Sequence, residues 1–419
     1  MKEYTAGTQF PQGFTVIEGG VTAPEGFLAM ACAAGIKKGR KDMAMLFSQK
    51  PATAAGTFTS NLVKAAPVIW DKNIVRQRGV AQAVVLNSGV ANACTGQEGL
   101  DHCRQSAQAV ADDLGIDPML VLTASTGVIG RPLPMDKITA GIHQMSQKLS
   151  PSIEAGTMAA QAIMTTDTKK KEIAVELTLD GKTVRIGGMC KGAGMIHPNM
   201  CTMLSFVTSD VSITHEMLQE ALSKDVTNTY NMISVDGDTS TNDTCVVLAN
   251  GMAGNKTIDA PGEDYTLFCE ALHFINEYLA VHMAADGEGA TALFEVQVNG
   301  AISHEQAAKL AKSVITSNLV KTAIAGHDAN WGRILCAMGY SGETFNQDEV
   351  SLVFESEFGK IVIAQNGKDV GFDEELATKI LSADHIIASV DLHLGEESAT
   401  AWGCDLTHGY IDINADYRT

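Results

Sequence analysis

Basic and aromatic residues are scarce in this sequence of 419 residues, and its cysteines follow no familiar spacing. Lysine and arginine together number 30 against 49 aspartates and glutamates. The resulting formal net charge of -19 argues against nucleic-acid binding, because an acidic chain repels phosphate. The densest basic run, Lys169 to Lys171, is expected to form a solvated loop. The nine cysteines are an odd number without a Cys-x-x-Cys pair, which argues against disulfides or structural zinc and favours a reducing cytoplasm.

Long apolar runs are also missing. Residues 1–5 lack the apolar stretch of a signal peptide. The longest uncharged stretch, residues 79–97, contains Gln82, Asn87 and Asn92, whose burial in lipid would cost too much for a membrane span. We therefore expect a cytoplasmic protein with neither a nucleic-acid nor a membrane partner.

Several catalytic signatures are absent from the sequence. It contains no GxxxxGK[ST] phosphate loop, no GxSxG elbow and no HExxH pair, and His197 stands where a dinucleotide loop would need its third glycine. Residues 236–243 carry carboxylates at alternating positions, but Thr241 occupies the place where a calcium loop needs glycine. This stretch is therefore interpreted as an Asp/Asn/Thr turn, and no metal site is predicted.

The sequence does contain short apolar runs that alternate with longer segments of helical period, a pattern typical of a mixed α/β protein. Strands are predicted at residues 42–47 and 83–87, and a hairpin that turns at Asp180–Lys182 is predicted to join residues 173–179 to residues 184–186. Helices are predicted at residues 102–114, 135–149, 214–230 and 265–283. No proline-rich or serine-rich linker marks a domain boundary.

The segment Lys191–Phe206 carries the strongest chemical signal. A glycine-rich loop and a Pro-Asn turn lead into an apolar strand, and the Thr202 hydroxyl lies at that junction. Threonine is a weak nucleophile without a base. If the chain is cut before Thr202, the new α-amine, with a pKa of about 7.7–8.0, supplies that base. The alternative is a threonine at the start of a strand whose hydroxyl bonds the backbone.

A second segment, Thr123–Gly130, follows the apolar run at residues 119–122. A hydroxyl beside a glycine just after a strand can stabilise an oxyanion, here through the Thr126 Oγ and the Gly127 amide. A simple turn is the alternative interpretation.

Eight segments, in this order along nearly the whole chain, resemble the ornithine acetyltransferase (glutamate N-acetyltransferase) family of arginine biosynthesis. They are Gly20–Ala23, Asn87–Gly96, Ser125–Gly130, Ile163–Asp167, Lys191–Leu204, Asp236–Asp243, Asp286–Thr291 and Asn414–Thr419. Each segment is a weak signal alone, but all eight in the family's order are specific.

The resemblance implies a layered α/β sandwich of the type shared with self-processing, DmpA-like amidases. It also implies that the chain cleaves itself between Cys201 and Thr202, giving an α chain of residues 1–201 and a β chain of residues 202–419 that assemble as α2β2. Thr202 would then be the N-terminal nucleophile, taking an acetyl group from N2-acetylornithine and passing it to glutamate in a ping-pong cycle.

The site residues implied by the resemblance follow from the matching motif positions. Thr126 and Gly127 would form the oxyanion hole. Besides Thr202, the substrate pocket would be lined by Thr165, Lys191, Glu288, Asn414 and Thr419, with Thr166 as an alternative to Thr165. Lys191 suits the α-carboxylate that both substrates carry, and Glu288 suits the δ-ammonium of ornithine. No cofactor is implied, although acetyl-CoA is a candidate second donor.

The chain departs from the family at Cys201, where most members have alanine. Its thiol beside the scissile bond admits a rival assignment in which Cys201 is the reactive group. Three rival functions also stay open: an N-terminal-nucleophile aminopeptidase or amidase with water as acceptor, a metal-dependent phosphoryl-transfer protein using Asp236 and Asp238, and a non-catalytic binding protein.

Overall fold

A computed structural model describes residues 4–197 and 203–416, which form two β-sheets with helices packed against both. The strands of the first sheet are β1 (Phe14–Ile17), β2 (Phe27–Cys32), β3 (Met43–Phe58), β4 (Val80–Val90), β5 (Val121–Val128), β6 (Lys171–Leu179), β7 (Lys182–Lys191), β8 (Leu204–Ser209) and β9 (Thr244–Ala249). The second sheet contains β10 (Leu293–Ala301), β11 (Ser351–Ser356), β12 (Gly359–Gln365), β13 (Lys368–Asp369), β14 (His385–Asp391) and β15 (Glu397–Cys404). The helices are α1 (Ala66–Arg78), α2 (Gly96–Leu114), α3 (Met135–Ser146), α4 (Ile153–Ala162), α5 (His215–Asp225), α6 (Glu263–Ala285), α7 (His304–Ile315), α8 (Asn318–Ala325), α9 (Trp331–Gly339), α10 (Glu374–Leu381) and α11 (His408–Asp416).

The order of strands in the first sheet is β1-β6-β7-β8-β9-β3-β4-β5, with β2 paired to β3. The pairs β8–β9 and β4–β5 are parallel, and the other neighbours are antiparallel. Strands β8 and β9 come after residue 202 in the chain, yet they lie between β7 and β3, which come before it. The two halves of the sequence are therefore interleaved within one sheet.

Helix α6 lies between the two sheets, against β6 and β7 on one side and β15 on the other. Its buried side chains include Phe268, Ile275 and Leu279. Gly188 on β7 allows this close approach, because a Cβ there would lie 2.9 Å from both Ile275 Cγ2 and Leu279 Cδ1. None of the helices within residues 4–197 and 203–416 is long and apolar enough to cross a membrane.

The structure confirms the layered, mixed α/β class and the predicted elements, with shifts at their ends. Residues 43–47 begin β3, residues 83–87 lie inside β4, and the hairpin joins β6 to β7 through Asp180 and Gly181. The predicted helices correspond to α2, α3, α5 and α6. Helix α2 begins at Gly96, earlier than predicted, and α3 ends at Ser146 rather than residue 149.

Helix α5 ends at Asp225, five residues before the predicted end. The Thr214 side chain accepts the Met217 N–H and begins the helix. At the other end, the Thr227 hydroxyl donates to the Lys224 carbonyl, and the Thr229 hydroxyl donates to the Asp225 carbonyl. These side chains satisfy carbonyls that a longer helix would have bonded, so the backbone turns away.

The prediction of a solvated basic loop is wrong for Lys171. Lys169 and Lys170 are exposed, but Lys171 begins β6 and is only 2% exposed. Its ammonium lies between two buried carboxylates, Asp167 and Asp286. A buried lysine is stable when it is paired, and the partner Asp286 lies 115 residues away in sequence, where a local reading could not find it.

Helices α5 and α6 are joined by an imidazole between two carboxylates. His273 Nδ1 lies 2.6 Å from Asp225 Oδ1, and its Nε2 lies 3.3 Å from Glu277 Oε2. Hydrogen bonding to Asp225, then to Glu277, raises the pKa of His273 to about 10. A raised pKa in the folded state means that protonation stabilises the fold at low pH and that this stability is lost as the pH rises toward 10.

We therefore expect His273→Gln to destabilise the protein at pH 6 and to have a smaller effect at pH 10.5. Because the His273 side chain is 44% exposed, solvent screening limits the loss to about 1 kcal/mol or less. Urea unfolding of both proteins at the two pH values measures this difference. A loss of stability that stays constant with pH would show that the imidazole acts through packing alone.

Candidate active site

The site begins where β7 ends and β8 starts. Lys191 pairs with Leu204 across the antiparallel β7–β8 ladder, and Leu204 pairs with Thr244 across the parallel β8–β9 ladder. The Thr244 N–H donates to the Met203 carbonyl at 2.8 Å. This register brings the residues around 191, 203 and 243 together at one edge of the first sheet. Cys201 and Thr202, the predicted cleavage residues and nucleophile, lie outside the described residues, as does Thr419.

Thr126 and Gly127 lie near the end of β5, beside Gly89 on β4. Lys191 is 7% exposed, and its ammonium donates to Thr126 Oγ1 at 3.4 Å. Gly127 has a φ of +129°, and a Cβ there would lie 2.4 Å from the Gly89 carbonyl carbon. Only glycine fits this backbone position, so the predicted oxyanion pair is built into the sheet itself.

One cavity of about 100 Å³ brings together the predicted site residues that the structure describes. Its lining contains six of them, together with the alternative Thr166: Thr126, Gly127, Thr165, Lys191, Glu288 and Asn414. They come from β5, the segment after α4, β7, the loop after α6, and α11. A larger groove of about 580 Å³ lies elsewhere, between the N-terminal segment, α5 and α6, and holds none of these residues.

Glu288 is fixed against the glycine-rich loop after β7. Its amide donates to the Ala193 carbonyl at 2.8 Å, and the Asn414 amide nitrogen donates to Glu288 Oε2 at 2.7 Å. A Cβ on Gly194 would lie 2.3 Å from the Glu288 carboxyl carbon, so this glycine leaves room for the carboxylate. Glu288 is only 9% exposed and keeps a polar face toward the cavity.

A cluster of buried charged side chains lies next to the cavity residues Thr165 and Lys191. Lys171 Nζ lies 2.7 Å from Asp167 Oδ1 and 2.6 Å from Asp286 Oδ2. Asp167 also accepts the Gly192 N–H at 2.7 Å and the Thr165 N–H at 3.0 Å. Burial opposes ionisation of Asp167, but Lys171 and then Lys191 outweigh it and hold the pKa of this carboxyl well below its usual range. The cluster thus fixes the backbone of Thr165 and of the residue after Lys191.

The predicted turn at residues 236–243 holds the glycine-rich loop that follows β7. Asp236 accepts the N–H groups of Met195 and Ile196 at 2.6 and 2.9 Å, and that of Asp238 at 3.2 Å. Asn242 donates to the carbonyls of Ala91 and Ser125, which holds the ends of β4 and β5. Among the residues that the structure describes, no group of three His, Cys, Asp or Glu side chains could hold a metal ion.

Sequence reasoning named Asp243 only as the end of the turn at residues 236–243 and assigned it no role at this site. Asp243 immediately precedes β9, is 1% exposed, and lines a second cavity of about 20 Å³ together with Thr126, Lys191 and Met203. A carboxylate directly before a mostly apolar strand is the available signal, but its burial depends on strand order and cannot be seen locally.

Comparison with known proteins identifies the chain's relatives. The model of the ArgJ family matches residues 28–419. The arginine biosynthesis bifunctional protein ArgJ of Caldanaerobacter subterraneus subsp. tengcongensis is 49% identical over 404 residues, covering 96% of this chain and 100% of the relative. The protein of the same name from Symbiobacterium thermophilum is 50% identical over 406 residues, covering 96% and 99%.

Among solved structures, the arginine biosynthesis bifunctional protein ArgJ of Bacillus halodurans is 48% identical, covers 50% of this chain and 97% of its own, and has a TM-score of 0.48. The family match and the full-length relatives confirm the resemblance found in the sequence. The chain belongs to the ArgJ family of arginine-biosynthesis acyltransferases.

Proposed function

We propose that this enzyme transfers an acetyl group from N2-acetylornithine to glutamate, releasing ornithine and N-acetylglutamate. The observation that carries the proposal is the cavity of about 100 Å³, because it unites hydroxyl, ammonium and carboxylate groups from distant parts of the chain. The acetyl donor N2-acetylornithine and the acceptor glutamate both have an α-carboxylate that Lys191 can bind. One pocket can therefore serve both halves of a ping-pong reaction. The Glu288 carboxylate, oriented by Asn414, suits the δ-ammonium of ornithine.

We further propose that Thr202 carries the acetyl group after the chain cleaves itself between Cys201 and Thr202. The Thr202 Oγ attacks the acetyl carbonyl, its free α-amine accepts the hydroxyl proton, and the developing oxyanion is stabilised by Thr126 and Gly127. The carbon–nitrogen bond then breaks and ornithine leaves with that proton. The amine of glutamate then attacks the acetyl carbon and the ester carbon–oxygen bond breaks. The proton lost by that amine passes through the Thr202 α-amine to the Thr202 oxygen, which regenerates the hydroxyl.

This proposal divides the cavity between two chains. Residues 1–201 would supply Thr126, Gly127, Thr165 and Lys191, and residues 202–419 would supply Thr202, Glu288, Asn414 and Thr419. We propose an α2β2 assembly of these chains in the cytoplasm. Since the relatives are named bifunctional, acetyl-CoA is proposed as the second acetyl donor to glutamate.

The first experiment is the intact mass of untagged, denatured protein. We expect the wild type to give two species, residues 1–201 and 202–419, and Thr202→Ala to give one uncut chain with no acetyl transfer. The reason is that alanine lacks the hydroxyl that attacks the peptide bond.

Two further variants serve as controls. Thr202→Ser keeps a hydroxyl and Cys201→Ala removes the neighbouring thiol, so both are expected to cleave. Cleavage in Thr202→Ala, or its loss in Cys201→Ala, would transfer the role to Cys201. Acetyl-enzyme that hydrolyses as fast without glutamate as with it would favour an amidase instead.

A further inference from the structure

Asp243 lines a cavity with Met203, the residue that follows Thr202 in the chain, and one of its carboxyl oxygens is unpaired among the described residues. Asp243 is 1% exposed, and within the described part of the chain its Oδ2 is buried without a hydrogen-bond partner. By contrast, the backbone carbonyl of Asp243 is hydrogen-bonded, since it accepts the Thr59 N–H at 3.0 Å. A buried, unpartnered carboxylate oxygen is costly in free energy, so the neutral acid is favoured at this position.

The burial of Asp243 also favours the neutral acid. Burial raises the pKa of this carboxyl well above its usual range. The hydroxyls of Ser240 and Thr59, the Lys191 ammonium and the Met203 amide oppose that shift without cancelling it. Burial therefore favours the protonated form of this carboxyl, which is the form that a general acid needs.

Asp243 lies close to Met203 because the strands that follow them, β9 and β8, pair in the first sheet. The cavity of about 20 Å³ that it shares with Thr126, Lys191 and Met203 has room for about one water molecule. Met203 is bonded to Thr202, and in any conformation the amide nitrogens of two successive residues, three bonds apart, lie within about 4 Å of each other. A group that faces the Met203 amide is thus within reach of the Thr202 nitrogen, directly or through one water.

We infer that Asp243 is the acid–base residue of the self-cleavage, an inference that rests on the cleavage proposed above. The Thr202 oxygen bonds to the Cys201 carbonyl carbon and the carbon–nitrogen bond breaks. The departing nitrogen takes the proton of Asp243, and the Thr202 hydroxyl proton returns to the Asp243 carboxylate. Water then adds to the ester, whose carbon–oxygen bond breaks to leave the Cys201 carboxylate and the free Thr202 hydroxyl.

The test follows the cleavage of full-length chain made by cell-free synthesis, using intact mass at successive times. We expect Asp243→Asn to slow cleavage by about 100-fold or more, since a positioned proton donor contributes that much. Asp71→Asn is the matched control. Asp71 is also fully buried with an unpartnered Oδ2, but its Oδ1 accepts the Thr123 N–H, away from the cavity.

The outcomes separate the two proposals. If the wild type does not cleave, the self-cleavage proposal fails. If the wild type cleaves, Thr202→Ala does not, and Asp243→Asn cleaves at the wild-type rate, the role of Asp243 is overturned alone. Asp243→Ala with added formate is the second variant, read on the soluble, folded fraction. Recovery of cleavage with formate supports a proton-donating role, and equal rates with and without formate contradict it.

Discussion

Replacing Lys171 by methionine is expected to destabilise the folded protein by about 3–5 kcal/mol, the usual cost of removing one partner from a buried ion pair. Methionine fills similar space but leaves Asp167 and Asp286 buried, like-charged and without their shared cation. Urea unfolding of the variant and the wild type measures the loss as a lower midpoint.

Lys170→Met is the matched control for this substitution. Lys170 is the preceding residue, is 43% exposed at its side chain, and pairs with Glu172, whose carboxylate also accepts the Thr157 hydroxyl. Its removal should cost less than about 1 kcal/mol. Equal losses from the two variants would mean that the buried cluster contributes no more than the half-exposed pair of Lys170 and Glu172.

The second large effect concerns catalysis. Thr126→Ala is expected to lower kcat for acetyl transfer by about 10²–10³-fold, because an oxyanion donor acts on charge that develops only in the transition state. The same reasoning predicts a small change in KM. Steady-state kinetics with N2-acetylornithine and glutamate give both constants.

Thr183→Ala, an exposed threonine on β7, controls for the loss of a β-branched residue from a strand and should leave kcat unchanged. A Thr126→Ala enzyme with raised KM and normal kcat would place Thr126 in substrate binding instead. Since Lys191 donates to Thr126 Oγ1, the unfolding midpoint of the variant should be measured alongside.

Six residues of the cavity could be predicted because each belongs to a short motif of the family that the sequence resembles. Thr126, Lys191 and Glu288 were all named from such motifs, and the structure brings them into one cavity. The burial of Lys171 and Asp243 could not be predicted in this way. Each depends on pairing between distant segments, Lys171 with Asp286 and β9 with β8.

The same limit explains the differences in the helices. Thr214 at the start of α5 was recognisable because an N-cap is a local signal. The end of that helix depends on Thr227 and Thr229, whose hydroxyls are as common in turns as in helices, so periodicity extended the helix too far.

The interleaved first sheet affects how the chain could fold before and after a cut between residues 201 and 202. Strands β8 and β9 lie between β7 and β3, so neither half of the chain contains the complete first sheet. A chain cut between residues 201 and 202 would stay together through its hydrogen-bond ladders, yet once denatured it would have to reassemble from two molecules rather than one. Folding of the uncut chain is unimolecular, whereas refolding after such a cut would depend on protein concentration.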